Sequence, residues 1–309
     1  MVVEEITLSI DVGGSSYKAA IVDSRGSIIP TTYFEQPSYS DQPINIVLAA
    51  LRETLERLFE QVQLLQRDAR LLNDPKIYSI SSLAMDFPGP FDYANGQSLM
   101  THKFKSIKGI PLTPFIREIF PCMEIPIVFH HDLHACTYGA YLYDVGQGCS
   151  NLFCIAIGTG LGTGYMKEGK VVMRPGKQPM YPIFDTPYEN GILEEYVANR
   201  GIVNQYRKRT GCTEALDAKQ IDYLARYKSD KKAIAAYFEM GRVLGQAVKP
   251  LLEKLEVECL IFGGQISKGY DLFGPSLEKE LGFVPSLRKI GIIQNLTETT
   301  IRGAAALPH

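Results

Sequence analysis

Ile6-Thr7-Leu8-Ser9-Ile10-Asp11-Val12-Gly13-Gly14-Ser15-Ser16 alternates apolar and polar residues and then stops on paired glycines. A period of two puts every second side chain on one face, so the segment is read as a half-buried strand ending in a turn. Tyr17 to Val22 and Ser27 to Ile29 flank Asp23-Ser24-Arg25-Gly26, whose turn residues predict a hairpin. The same unit recurs in the second half. There Leu152 to Ile157 is an apolar strand and Gly158-Thr159-Gly160-Leu161-Gly162-Thr163-Gly164 a glycine turn, while Tyr165 to Met173 reads as a hairpin around Glu168-Gly169. Cys259 to Phe262 runs into Gly263-Gly264-Gln265, a third junction of strand and glycine.

Phosphate oxygens approach backbone N–H groups only where no Cβ intrudes, so such junctions suit a phosphate cradle. Glycine also serves hairpins that need positive φ, and each turn taken singly is compatible with that purpose. Three junctions, two followed by hairpins, point to paired phosphate loops facing each other across a cleft. No G-x-x-x-x-G-K-[ST] occurs, and neither turn fits G-x-G-x-x-G opening a helix, which disfavours Walker and dinucleotide sites. Asp11 directly precedes the first turn, placed either to hold a water of hydrated Mg²⁺ or to cap the turn.

Ile44, Val47, Leu48, Leu51, Leu55, Leu58, Phe59 and Val62 share one helical face, with Arg52, Glu53, Glu56, Arg57 and Glu60 opposite. Strands near Tyr78 to Ala84 and Ile125 to Phe129 lead into Asp86-Phe87-Pro88-Gly89-Pro90 and His130-His131-Asp132. Helices are predicted over Ile192 to Lys208 and Asp230 to Glu256, the latter burying Ile234, Tyr237, Met240, Leu244, Val248, Leu251 and Leu255. A strand near Ile290 precedes a short helix around Thr300 to Leu307.

The chain has 309 residues with 45% hydrophobic content, enough for two domains. A net charge of -2 supplies no basic field for a phosphodiester backbone, so a small ligand is expected and nucleic acid is not. Cys122, Cys136, Cys149, Cys154, Cys212 and Cys259 contain no C-x-x-C pair and are read as reduced thiols. The N-terminus lacks a signal-peptide pattern and no window is apolar enough to span a bilayer, so no membrane association is expected and the location is read as cytoplasmic.

These segments resemble the ROK family of sugar kinases, within the actin, hexokinase and Hsp70 superfamily. Asp11-Val12-Gly13-Gly14-Ser15 is similar to its first phosphate motif, Phe87-Pro88-Gly89-Pro90-Phe91-Asp92 to its connecting segment, and Gly158 to Gly164 to its second phosphate motif. His131-Asp132-Leu133-His134-Ala135 takes the place of N-D-A-N-A, and Ile261 to Ser267 resembles the adenosine motif. The resemblance implies an α/β, two-domain actin-like ATPase (ribonuclease H-like) fold with an interdomain cleft. Its expected domains are 1–130, completed by a C-terminal helix at 298–309, and 131–297. It implies an ATP- and Mg²⁺-dependent kinase for a hexose or amino sugar.

By the same resemblance Asp132 is the catalytic base, which is compatible with capping the helix that follows. Gly13, Gly14, Ser15, Ser16, Lys18, Gly158, Thr159, Gly160, Gly162, Gly263, Gly264 and Gln265 would hold the nucleotide with Asp11, the residue toward the metal. Gly89, Lys103, His131, Asp132 and Glu194 would meet the sugar, although Glu194 also suits an ordinary first-turn glutamate. The chain departs from the pattern where His131, His134 and Lys103 replace asparagines, and where the G-E-x-G-H segment and the C-x-C-G-x-x-G-C zinc motif are absent. Polyphosphate-using glucokinases of the family also lack the zinc motif and open with a similar G-G-S-x-x-K, which keeps polyphosphate open as donor. Two further readings share the fold: a catalytically degenerate sugar-binding sensor, and a kinase for acidic substrates met by His131, Lys103, His134 and Arg174. Repressors of the family carry a DNA-binding domain ahead of the first strand, which here begins by Ile6. A homodimer is compatible with all three.

Overall fold

The computed structural model describes residues 2–121 and 124–308, so Cys122 lies outside the described residues. Cys136, Cys149, Cys154, Cys212 and Cys259 are free thiols. The chain divides into two units, one of Met1–Tyr143, Met173–Gln178 and Thr297–His309, the other of Asp144–Val172 and Pro179–Leu296.

The first unit is built on β1 (Val2–Val12), β2 (Ser16–Asp23), β3 (Phe34–Pro37), β4 (Lys76–Phe87) and the strand Ile127–His131, in the order β3-β2-β1-β4 followed by that last strand. β2 is antiparallel to β1, whereas β4 and Ile127–His131 extend the sheet in parallel. The predicted hairpin partner Ser27 to Ile29 forms only a bridge, Val22 to Ile28, and Phe34–Pro37 is the third strand. Asp23 Oδ1 accepts the N–H groups of Arg25 and Ser27 and bends the chain, and Pro30 has no N–H to extend a ladder.

β1 is not half-buried, as its alternation suggested. Ile6, Leu8, Ile10 and Val12 face one core, and Ser9 is fully buried on the other face, its hydroxyl donating to the carbonyl of Ile301 at 2.8 Å. Helix α1 (Ile44–Leu71) covers the first face with Val47, Leu51, Leu55, Leu58 and Val62. The helix Leu296–Ala306 covers the second, where Ile301 packs on Ala20 and Val22. Beside it runs the helix Asp132–Tyr143. A Cβ on Gly139 would lie 1.9 Å from Thr299 O, and one on Gly303 1.9 Å from Ala135 O, so the two helices cross in backbone contact.

The second unit repeats the topology. Lys170–Val171, Leu161–Lys167 and Asn151–Ile157 are antiparallel, and Cys259–Gly263 and Lys289–Ile292 continue in parallel. Glu168 and Gly169, with φ of 51° and 76°, form the tight turn expected between the first two. The helix Lys231–Leu255 starts at Asp230, whose carboxylate accepts from the Lys232 and Ala233 N–H groups. Tyr237, Met240, Leu244 and Val248 are buried as expected and are joined by Ala233, Ala236 and Val243, whereas Leu251 and Leu255 are partly buried and Ile234 is 38% exposed. The expected helix from Ile192 is broken into Glu194–Val197 and Asn199–Thr210, while Ile192 pairs with Pro187 in a short ribbon. The helix Ala218–Tyr227 was not anticipated, although Asp217 and Gln220 form a capping box readable as D-x-x-Q.

Because nothing at the Gly139–Gly303 crossing can move except backbone, Gly303→Ala is expected to cost roughly 2 kcal/mol or more. Thermal melts of the two proteins check this, with the variant unfolding several degrees lower.

Candidate functional site

The two parallel pairings of the first unit align three strand ends: Asp11 stands opposite Asp86, and Phe87 opposite His131, the residue before Asp132. The carboxyl ends of parallel strands are where open α/β sheets place their ligands, because the connections there leave a crevice. Asp86 was not singled out from the sequence, which ended its strand at Ala84. β4 continues through Phe87 and carries Asp86 into this row. A carboxylate closing an apolar run was the available signal.

Asp86 is fully buried against the Asp11 carboxyl, and no other donor among the described residues reaches its oxygens. Burial, then the charges of Asp11 and Asp132, push its carboxyl well above the ordinary carboxylate range. Asp11 is also raised, first by burial, although Lys18 pulls the other way from 3.7 Å across the β1–β2 hairpin. Asp132 behaves oppositely. Burial opposes its ionisation, but His131 and the Leu133 N–H outweigh it and hold the carboxylate below its usual range.

Asp132 opens the helix Asp132–Tyr143, and its side chain is 37% exposed, the most accessible member of the row. His131 Nδ1 lies 2.7 Å from Asp132 Oδ1, which requires a proton on Nδ1. The Leu133 N–H, 2.8 Å from Oδ1 and 3.1 Å from Nδ1, is therefore donated to the carboxylate. The other ring nitrogen, Nε2, faces Gly89. It lies 3.3 Å from the Cβ position of Gly89, so a side chain at Gly89 would press on it. His134 is buried 5.3 Å from the His131 ring, and burial, then His131, lower its pKa to about 3, so it is neutral.

Gly13, Gly14 and Ser15 form the turn between β1 and β2, closed by the Gly13 N–H donating to Ser16 O at 2.9 Å. Ser16 Oγ donates to Glu35 rather than into the turn. Lys103 lies on this turn, with Cδ 2.8 Å from where a Gly14 Cβ would sit.

In the second unit the glycine turn is shorter than the sequence suggested. Leu161 to Gly164 lie within the strand Leu161–Lys167, where Gly162 pairs with Ala156, and only Gly158-Thr159-Gly160 remains as the turn. A Cβ on Gly158 would meet nothing within 4 Å, and Thr159 is exposed. The break at Ala198 lets the Asn199 N–H reach Gly158 O at 3.1 Å. Glu194 Oε2 accepts the Leu161 N–H at 2.9 Å, so this expected sugar ligand braces the turn through that oxygen. Gly264 has φ +86°, and a Cβ there would lie 2.3 Å from Ile157 O, so Gly263-Gly264-Gln265 abuts the strand that feeds the turn. Gln265 is exposed beside it. The expected residues thus assemble as two groups, one in each unit.

Among the described residues no three His, Cys, Asp or Glu side chains are grouped to hold a metal ion directly. Magnesium usually keeps several waters and uses one or two carboxylates. The oxygens of Asp86 beside Asp11 fit that manner of binding.

Two like-built units, each ending its central strand in a glycine turn, and a row of carboxylates in the first define an α/β protein with the actin-like ATPase fold. The chain belongs to the ROK family, whose model matches residues 7–180 and 186–284. It is 23% identical to a glucokinase of Streptomyces coelicolor, the alignment covering 86% of this chain and 84% of that protein. Among solved structures, a ROK family glucokinase from Streptomyces griseus in complex with glucose and AMPPNP has a TM-score of 0.71 at 20% identity, covering 97% of this chain and 98% of that one. A ROK family transcriptional regulator, homolog of the E. coli MLC protein, has a TM-score of 0.77 at 19% identity, covering 97% and 78%. No described helix is long and apolar enough to cross a membrane.

A carboxyl raised in the folded state stabilises below its unfolded pKa, ordinarily 3.8, and that contribution is lost as pH rises through the folded value. Without magnesium, melting temperature is expected to fall as pH rises above the ordinary carboxylate range, and Asp86→Asn to flatten the fall and match or exceed the parent at the upper end. Melts over that rise in pH check it; a variant less stable at every pH would contradict it.

Proposed function

We propose that this protein is a sugar kinase, transferring a phosphoryl group from ATP to a hydroxyl of a hexose or amino sugar. The observation that carries the reading is Asp132: ionised, accessible, and clamped by His131 and the Leu133 N–H at the edge of a sheet whose central strand, two positions away, ends in a glycine turn. A carboxylate so fixed accepts the proton of a sugar hydroxyl as that oxygen bonds to the terminal phosphorus and the bond to the leaving diphosphate breaks. His131 and the Leu133 N–H fix its orientation, and Nε2 of His131 suits a second hydroxyl.

Gly158 and Thr159, open to approach, and the Gly263–Gly264 junction suit the nucleotide phosphates and adenosine. Asp11 and Asp86 would hold magnesium through water, which supplies charge neutralisation at the phosphates. Glu194, braced on the glycine turn through Oε2, has its second oxygen 3.9 Å from Arg200 and would meet a sugar hydroxyl beside that guanidinium.

A second reading, a sugar-binding regulator without turnover, is favoured by the fold shared with the transcriptional regulator and by imidazoles at two positions where the family carries asparagine. A coupled assay over a panel of hexoses, amino sugars and acidic sugars separates the two. Turnover with at least one neutral sugar is expected, and Asp132→Asn should lower kcat by roughly 10²–10⁴ with little change in melting temperature. Calorimetric sugar binding with no turnover of ATP would select the regulator.

A further inference from the structure

Lys103 is exposed, and its ammonium has no hydrogen-bonding or ion-pair partner among the described residues. Its stem is nevertheless well placed: Cδ, Cε and Nζ lie 2.8, 3.0 and 3.4 Å from the position of a Cβ on Gly14. The next residue explains how the loop is held. Phe104 has φ +50°, an unfavourable conformation for a bulky residue, yet its ring is fully buried. It stacks on Tyr17 with centroids 6.4 Å apart and meets Phe87 edge-on at 6.3 Å. The Phe104 N–H donates to Ser40 O at 3.0 Å, and Ser40 Oγ donates to Gly14 O at 2.6 Å. Ser40 thereby fastens the lysine loop to the glycine turn.

The N–H groups of Gly14 and Ser15 donate to nothing among the described residues, and Ser15 is exposed. Two amides and an ammonium on a residue without a Cβ are all donors. A sugar hydroxyl needs an acceptor as well as donors, whereas phosphate oxygens only accept. Asp11, the nearest carboxylate along the chain, is opposed by Lys18.

We propose that Lys103 is a phosphoryl-binding residue, completing with the Gly14 and Ser15 amides an anion site for the donor's phosphate chain, and that it is not the sugar ligand its place in the family pattern implies. The phosphoryl-transfer reading above enters only in naming the donor; the anion site stands on its own geometry.

The test is calorimetric titration of the full chain with inorganic tripolyphosphate, without sugar or metal, at low and moderate salt. Binding that weakens with salt is expected in the parent. Lys103→Met, which keeps the stem, should lose about tenfold or more, and Lys103→Arg should retain most of the affinity. Gly14→Ala keeps the charge but displaces the stem, and should also weaken binding; melts confirm that each variant is folded. Absence of tripolyphosphate binding in the parent, or unchanged affinity in folded Lys103→Met, overturns the assignment. Where a sugar is turned over, Lys103→Met should change kcat and the KM for ATP and leave the KM for sugar unchanged; the reverse pattern returns Lys103 to the sugar. Lys103-dependent binding without turnover of any sugar would refute the kinase reading and leave the anion site standing.

Discussion

Carboxylates at the ends of adjacent parallel strands repel each other, and the first unit is arranged around managing that repulsion. Asp11, Asp86 and Asp132 are brought together by the register of β1 with β4 and of β4 with Ile127–His131, so none can leave the row without a strand slipping. Asp86, fully buried beside Asp11, has its carboxyl pushed well above the ordinary carboxylate range, and Asp11 is balanced by Lys18. Asp132 is the most accessible of the three and is supplied with donors, which holds its carboxyl below the ordinary range. Three chemically identical side chains acquire three roles from solvation and neighbours.

The supports of this row lie behind the site. The helix that Asp132 opens is pressed onto Leu296–Ala306 with no side chain between them at Gly139 and Gly303, and Ser9 ties β1 to the same helix. A rigid backbone crossing of this kind fixes the direction of the first helical turn, and with it the carboxylate. The second unit uses the same economy of atoms at Gly264, where the chain passes so close to Ile157 that only glycine fits.

Much of this was legible in the chain. The two strand-and-glycine units appear as period-two alternation ended by residues without Cβ, and both were found where expected because that signal is local. Segments closed by side-chain caps were also predictable in principle, as the Asp217 and Gln220 pair shows. The readings that failed all concern how far an element runs or which face it buries. Leu161 to Gly164 join a strand despite their glycines because Asn151–Ile157 offers them a ladder, and Ile234 lies at the margin of the buried stripe while Ala233 and Ala236 lie within it.

By itself, then, the order of residues determined the kind of fold, its duplication, and the family to which the chain belongs, since these rest on patterns within short windows. Tertiary structure alone decided that Asp86 joins Asp11, that His131 clamps Asp132, that Glu194 braces a turn, and that Lys103 lies across Gly14. Glu194 and Lys103 reach across 33 and 89 residues of sequence to their partners. No local preference encodes such a meeting: it is set by strand register, by backbone crossings and by which buried groups find a partner, and these exist only once the chain is packed.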